Sequence, residues 1–296
     1  MDTFDEIYKK WNPPPKDKLL YQYTSVEGLK NILQYRKLRH THYKYFNDPR
    51  EIRYGIRLIL DALYTSHIPY LKLAEELFVE FYENTNIYVC CFSEANNMAL
   101  WRYYALNGSG VCIAYNESFY NTDKEASLED GYLCKVHYGK NCLPLIESII
   151  KNFRYKAKDA KNLEEFKPHH IELMSNLIAI LPMLKDESFS DEHEYRIFYM
   201  EGDLMKTPTN KSFFFDDSAR EFLTIPKSDL PFISINFNKK PVLTPHQFVH
   251  ENISQIWIGA SCNFLEARAY IRKLLTEYGY DLDKVEIKKS DLPIRI

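Results

Sequence analysis

With 296 residues, 45% hydrophobic and 27% charged, the chain reads as a globular protein of one large or two modest domains. A formal net charge of −3 gives no global attraction to nucleic acid, and only 9 glycines argue against a glycine-rich nucleotide-loop architecture. No Gly-x-Gly-x-x-Gly or Walker-type loop occurs, which disfavours dinucleotide binding of the Rossmann or P-loop kind.

The opening stretch, MDTFDEIYKKWNPPPKDK, lacks the apolar centre of a secretory signal, and no run reaches the roughly 18 apolar residues of a membrane span. Cysteines 90, 91, 112, 134, 142 and 262 form no CxxC pair and read as reduced thiols. A cytoplasmic protein without membrane contact is therefore expected.

Leu20–Tyr23 reads as a short strand. Thr24 or Ser25 can cap the helix that follows, in which Leu29, Ile32 and Leu33 recur at helical spacing. Leu38–Tyr45 predicts a second strand, rich in histidine and aromatics. Asn47-Asp48-Pro49 then breaks the chain, because proline excludes the α region for Asp48. Two helices are expected between Pro49 and Asn84, broken at His67-Ile68-Pro69. A buried strand follows at Ile87–Ser93, then a short helix over Ala99–Ala105 with Trp101 and Tyr104 on one side. Strands are predicted at Val111–Tyr115 and Leu133–Tyr138. A helical block over 143–184 reads as an insertion packed on the sheet. Further strands are placed at Glu194–Met200, Leu223–Pro226, Ile253–Ile258 and Val285–Lys288, with a helix over Phe264–Tyr278. Strands and helices mix without strict alternation, so the expected class is α+β, with residues 1–296 as a single domain.

The polar residues suggest a cleft. On a strand, Glu192, Glu194 and Arg196 share one face, while Tyr195 and Ile197 take the other. Such a face suits either a polar site or a structural Glu–Arg network. Asn47, Asp48 and Glu51 read as a cleft rim, or as an Asx turn in which Asn47 or Asp48 caps the helix begun by Pro49. Glu94 is a second cleft carboxylate or the start of a turn. His40 and His42 can share a strand face, but a third ligand at telling spacing is absent, so no metal is expected.

The chain resembles the bacterial domain-of-unknown-function (DUF) family 2971. The resemblance rests on Leu20–Ser25 with Gly28-Leu29 and Ile32-Leu33, on Phe46–Pro49 with Glu51, and on Cys91–Glu94. It continues through Leu100–Ala105, Gly110–Ile113, Glu192–Ile197 and Ile256–Gly259. The first of these segments is also similar to the opening motif of ADP-ribosyltransferase-like folds, in which a strand ending in His/Arg-x-Thr runs into a helix of the form xxLxxIL. That similarity implies a mixed or antiparallel sheet with a cleft and helical insertions. It also implies NAD as substrate, in ADP-ribosyl transfer or NAD hydrolysis, as in a toxin or anti-phage effector. The acceptor would be protein or nucleic acid.

By the same similarity, Glu194, and after it Glu192, is the catalytic carboxylate. A strand carboxylate there stabilises the positive charge that develops as nicotinamide leaves. Tyr23, Trp101 and Tyr104 would stack on the cofactor rings, Thr24 and Ser25 would bind ribose or phosphate, and Arg196 would join them. The chain departs from the pattern at Gln22, which stands at the cleft rim where the motif has His or Arg and brings no charge. That departure favours an alternative, a non-catalytic nucleotide-, nucleic-acid- or protein-binding module; a third reading is a metal-dependent nuclease-like effector using Glu192, Glu194 and Asp48.

Overall fold

The computed structural model describes residues 4–46, 51–83, 85–94, 96–119, 132–201, 220–224, 239–243 and 250–292. Helix α1 (Phe4–Trp11) precedes strand β1 (Leu20–Thr24), helix α2 (Val26–Tyr35) and the short β2 (His40–His42). Helices α3 (Glu51–Thr65) and α4 (Leu71–Glu83) lead to β3 (Asn86–Ser93), α5 (Met98–Tyr104) and β4 (Val111–Tyr115). Next come β5 (Tyr132–Lys135), β6 (His137–Tyr138), α6 (Leu143–Lys156), α7 (Leu163–Ala179), β7 (Leu184–Lys185) and β8 (Glu194–Glu201). The chain closes with β9 (Arg220–Thr224), β10 (Lys239–Leu243), β11 (Ile253–Ile258), α8 (Phe264–Glu277) and β12 (Glu286–Lys289).

Ten strands form one mixed, mostly antiparallel sheet in the order β12-β11-β4-β1-β3-β2-β10-β9, with β8 paired to β3 and β5 beyond it. The only parallel neighbours in it, among the described residues, are β11 and β12, and β6 and β7 form a small parallel pair of their own. The class is therefore α+β.

Several predicted boundaries shift for local reasons. The strand expected over Leu38–Tyr45 is regular only at His40–His42. Tyr43–Tyr45 turn into a 3-10 helix capped by the His42 ring, whose Nδ1 accepts from Lys44 N–H at 3.2 Å. Leu133–Tyr138 divides at Val136, its halves joining different sheets. The strand near Leu223–Pro226 is Arg220–Thr224, and α1 and β10 are elements additional to those predicted.

The period-2 alternation of β3 and β8 sorts their side chains into two cores. Ile87, Val89, Phe198 and Met200 join the core built by α3, α4, α6 and α7. Tyr88, Cys90, Phe92, Tyr195, Ile197 and Tyr199 join the opposite core, which α2 and α8 cover. The helical block at 143–184 supplies Leu145, Ile149, Met174, Leu177 and Leu181 to the same core as Ile59 and Phe78 of α3 and α4. A third cluster, on the α5 side, holds Tyr21, Trp101, Ala105, Cys112 and Ala114.

At the end of β11 the backbone of Gly259 runs against another chain segment. Its N–H donates to Gly110 C=O at 3.0 Å, and a Cβ at this position would stand 2.0 Å from the Gly108 carbonyl oxygen. Backbone on both sides leaves nothing to rotate away. Gly259→Ala is expected to destabilise the protein by about 2–4 kcal/mol, the scale of forced overpacking and a lost ladder bond. Urea unfolding with an unchanged m-value checks this, and a midpoint equal to wild type would show that the close approach carries no cost.

Candidate functional site

The sheet is split beside β3. Along one edge β3 pairs with β8 over its whole length, from Asn86↔Glu201 to Ser93↔Glu194. Its other edge is shared, with β1 meeting it at Tyr21↔Ser93 and β2 at Thr41↔Val89 and His42↔Tyr88. Between these contacts β1 and β2 diverge, leaving residues 90–92 without a strand partner on that side among the described residues. A cavity of about 490 Å3 opens over the gap. Its walls carry Tyr21, Tyr23, Tyr45, Phe46, Tyr104 and Phe189, with Cys91 on the exposed β3 surface.

A buried ionic cluster forms one side of the cavity. Arg196 donates to Glu194 through Nε at 2.7 Å and Nη2 at 2.9 Å, through Nη1 to Pro182 C=O at 3.0 Å, and through Nη2 to Glu51. Lys185 Nζ lies 2.7 Å from Glu194 Oε2, 2.6 Å from Glu192 Oε2 and 3.8 Å from Glu51 Oε2. The Phe189 ring sits 4.9 Å from Lys185 Nζ, and the Phe46 ring 5.9 Å from the Arg196 guanidinium. Three carboxylates against two cations leave one formal negative charge.

The two sequence-predicted glutamates have different environments. Glu194 is buried, and both its oxygens accept from Arg196 or Lys185. Burial pushes its carboxyl up, but the Arg196 and Lys185 charges outweigh that and hold it down at about 2. Glu192 is not on the strand. It ends a 3-10 turn over Glu187–Glu192, and His193 follows in the left-handed region at φ 44°, so the chain turns before β8 begins. That turn brings Glu192 to the cavity edge, where Oε1 accepts from Tyr104 OH at 3.3 Å. Burial raises the Glu192 carboxyl, Lys185 opposes the rise and Glu194 adds to it.

Glu51 and Arg196 join the cluster, while Tyr23 and Tyr104 line the cavity. Trp101 is fully buried beneath, edge-on to Tyr23 at 5.4 Å and donating from Nε1 to Asn96 at 2.8 Å, so it does not share Tyr104's exposed side. Thr24 and Ser25 lie outside the cavity lining, and Ser25 Oγ is occupied as the cap of α2, accepting from Gly28 N–H at 2.9 Å. Gln22 forms part of the wall, yet its carboxamide is committed to the opposite core. It accepts from Tyr115 OH at 2.9 Å and donates to Cys90 Sγ at 3.3 Å. Glu94 pairs with Lys135 at 3.3 Å instead of entering the cleft. Asn47 and Asp48, with the Pro49 cap, lie outside the described residues.

Sequence reasoning did not reach Lys185, Phe189 or Tyr21. Lys185 directly follows the apolar run Leu181–Leu184, a placement that hints at a buried lysine needing carboxylate partners. Arg39 is exposed at the cavity wall and has no ion-pair partner among the described residues. Cys91 faces the open cavity, although the protein around it, together with Glu194 and Glu51, pushes its thiol well above the usual range. Among the described residues no group of three or more His, Cys, Asp or Glu could hold a metal ion, and no helix is long and apolar enough to cross a membrane.

Residues 100–197 match the family model described as "Protein of unknown function (DUF2971)". The DUF2971 match runs from α5 into β8. It therefore includes Tyr104, Lys185, Glu192, Glu194 and Arg196, but not Glu51 or the β1 wall. No curated protein and no solved structure matches the chain. The comparisons lend no support to the ADP-ribosyltransferase-like resemblance.

Removing a cation from the cluster leaves buried carboxylates without their partner. Arg196→Met is expected to cost about 3–5 kcal/mol of stability by chemical denaturation, and a loss below about 1 kcal/mol would assign the cluster a peripheral role.

Stability should also fall with acidity in two stages. His42 is buried, with Nδ1 accepting from Lys44 N–H and Nε2–H donating to Asn86 at 3.1 Å. Burial lowers its pKa to about 4. The unfolded chain therefore takes up this proton first. Stability is full above about pH 6.5 and is lost as pH falls towards 4, by up to roughly 3 kcal/mol. Glu194, depressed in the fold, adds a further loss below about pH 4.5. Glu192, raised in the fold, opposes the lower part of the first stage, because the fold takes up its proton before the unfolded chain does, above about pH 4.5. Melting curves between pH 7 and 3 read both stages, and His42→Gln should shrink the upper one, leaving the part that His137, also lowered by burial, contributes.

Proposed function

We propose that the cleft takes a nucleotide-like ligand and promotes cleavage of its glycosidic bond, with NAD as substrate, in ADP-ribosyl transfer or NAD hydrolysis. The observation that carries this reading is the position of Glu192. It is the cluster carboxylate with an oxygen turned to Tyr104 at the cavity edge, in a group whose charges sum to −1. A cationic centre beside it lowers its pKa and is stabilised in return, which suits an oxocarbenium-like transition state. The aromatic walls supply surfaces for planar rings.

In this reading Glu192 is the catalytic carboxylate, and Glu194 is a positioning residue that holds Lys185 and Arg196. The ribose C1′–N bond breaks and its electron pair leaves with nicotinamide, now neutral. Water or an acceptor nucleophile bonds to C1′, and its proton passes to Glu192. The roles of the two glutamates are thus the reverse of the order implied by the resemblance.

The second reading, a non-catalytic binding module, is favoured by Gln22. The residue in place of the motif's His or Arg brings no charge, and its carboxamide is already bonded away from the cavity.

Purified protein incubated with NAD should release nicotinamide. Glu192→Gln should lower the rate by about 100-fold or more, the upper range for a positioned acid–base group, with an unchanged melting temperature. Absence of nicotinamide release together with absence of an NAD-induced melting shift would remove NAD as ligand and leave the binding module.

A further inference from the structure

A second cavity, of about 480 Å3, also borders the ionic cluster. It shares Glu51, Lys185 and Phe189 with the first, and is completed by Arg53, Tyr54, Arg57, Asp186 and Ser188. The shared residues form a partition between the two spaces.

The charge balance of the two cavities differs. In the first, Arg39, Lys185 and Arg196 face Glu51, Glu192 and Glu194, which cancel. In the second, Arg53, Arg57 and Lys185 face Glu51 and Asp186, which leaves one positive charge. The acidic groups there already have partners. Asp186 Oδ1 accepts from Ser188 N–H at 3.0 Å and from Ser188 Oγ at 2.7 Å, and Glu51 is bonded to Arg196. The two arginines have none. Both are exposed on α3, one helical turn apart, and neither has an ion-pair partner among the described residues. Asp61 is spaced to pair with Arg57, yet no such pair forms. Two like charges at i and i+4 repel, so the arrangement costs free energy unless an anion lies between them. Guanidinium groups match phosphate oxygens in fixed fork geometry.

We infer that Arg53 and Arg57 form a diphosphate subsite, so that a ligand spanning the Glu51–Lys185–Phe189 partition places a planar ring in the first cavity and its phosphates in the second. This assigns the phosphate-bearing end of the ligand class given under the proposed function, and rests on that reading for the ring end only. The subsite itself stands on the second cavity and is testable without any turnover.

Inorganic pyrophosphate is the probe, in melting and calorimetric titrations at fixed ionic strength. Wild type should bind it and melt higher. The double variant Arg53→Gln/Arg57→Gln should bind it at least about tenfold more weakly, while its unliganded melting temperature stays at the wild-type value. Glu192→Gln, which removes a negative charge from Lys185, should bind pyrophosphate no more weakly than wild type does. Where NAD turns over, the double variant should raise KM with kcat little changed, the pattern of lost uniform binding. Equal pyrophosphate affinity in wild type and double variant overturns the subsite, as does absence of binding to wild type. Loss of pyrophosphate binding in the double variant, with neither nicotinamide release nor an NAD-induced melting shift in wild type, upholds the subsite and removes the NAD reading instead.

Discussion

A β-strand has two edges, and β3 has three neighbours. Because β8 takes one edge completely, β1 and β2 must divide the other, and neither can cover its middle. In the antiparallel ladder with β8, Glu94 N–H donates to His193 C=O, so alternation turns the N–H and C=O of Cys91 towards the gap. A backbone left open inside a sheet needs water or a ligand as partner. The cavity is thus a consequence of strand pairing rather than of loop shape, and the sheet itself fixes its floor.

The ionic cluster solves a second problem created by the same topology. β8 carries Glu194 and Arg196 on the face where Phe198 and Met200 enter an apolar core. Buried charge is tolerated there because α3 supplies Glu51, β7 supplies Lys185 and the Pro182 carbonyl accepts from Arg196. Elements far apart in sequence therefore meet at one point, where two cations offset all but one of three carboxylates. The cluster holds the α3 end, the β7 segment and β8 in a fixed relation, and both cavities inherit their shared wall from it.

Much of this was legible in the sequence. Helical spacing at Leu29, Ile32 and Leu33, the Ser25 cap, the helix break at His67–Pro69 and the buried strand at Ile87–Ser93 are local signals, and the fold follows them. The alternation that puts Glu194 and Arg196 opposite Tyr195 and Ile197 is also local. What could not be read depends on long-range contacts. The left-handed His193 removes Glu192 from the strand, and only the fold shows whether a glutamate's oxygens are free or committed. Gln22 reads as a rim residue until its partners, Cys90 and Tyr115, are seen on the opposite side of the sheet. Lys185 sits on a two-residue strand too short for any periodicity.

The alternation along β8 has a consequence for folding fidelity. A slip of one residue against β3 would carry the Arg196 guanidinium into the core of Phe92, Tyr115 and Phe119, and would move Tyr195 towards Lys185. Among the described residues no buried carboxylate lies in that core, so the misregistered sheet would bury a bare cation. The same five charged side chains that frame the cavities therefore act as a register pin, penalising a pairing that hydrogen bonds alone would tolerate.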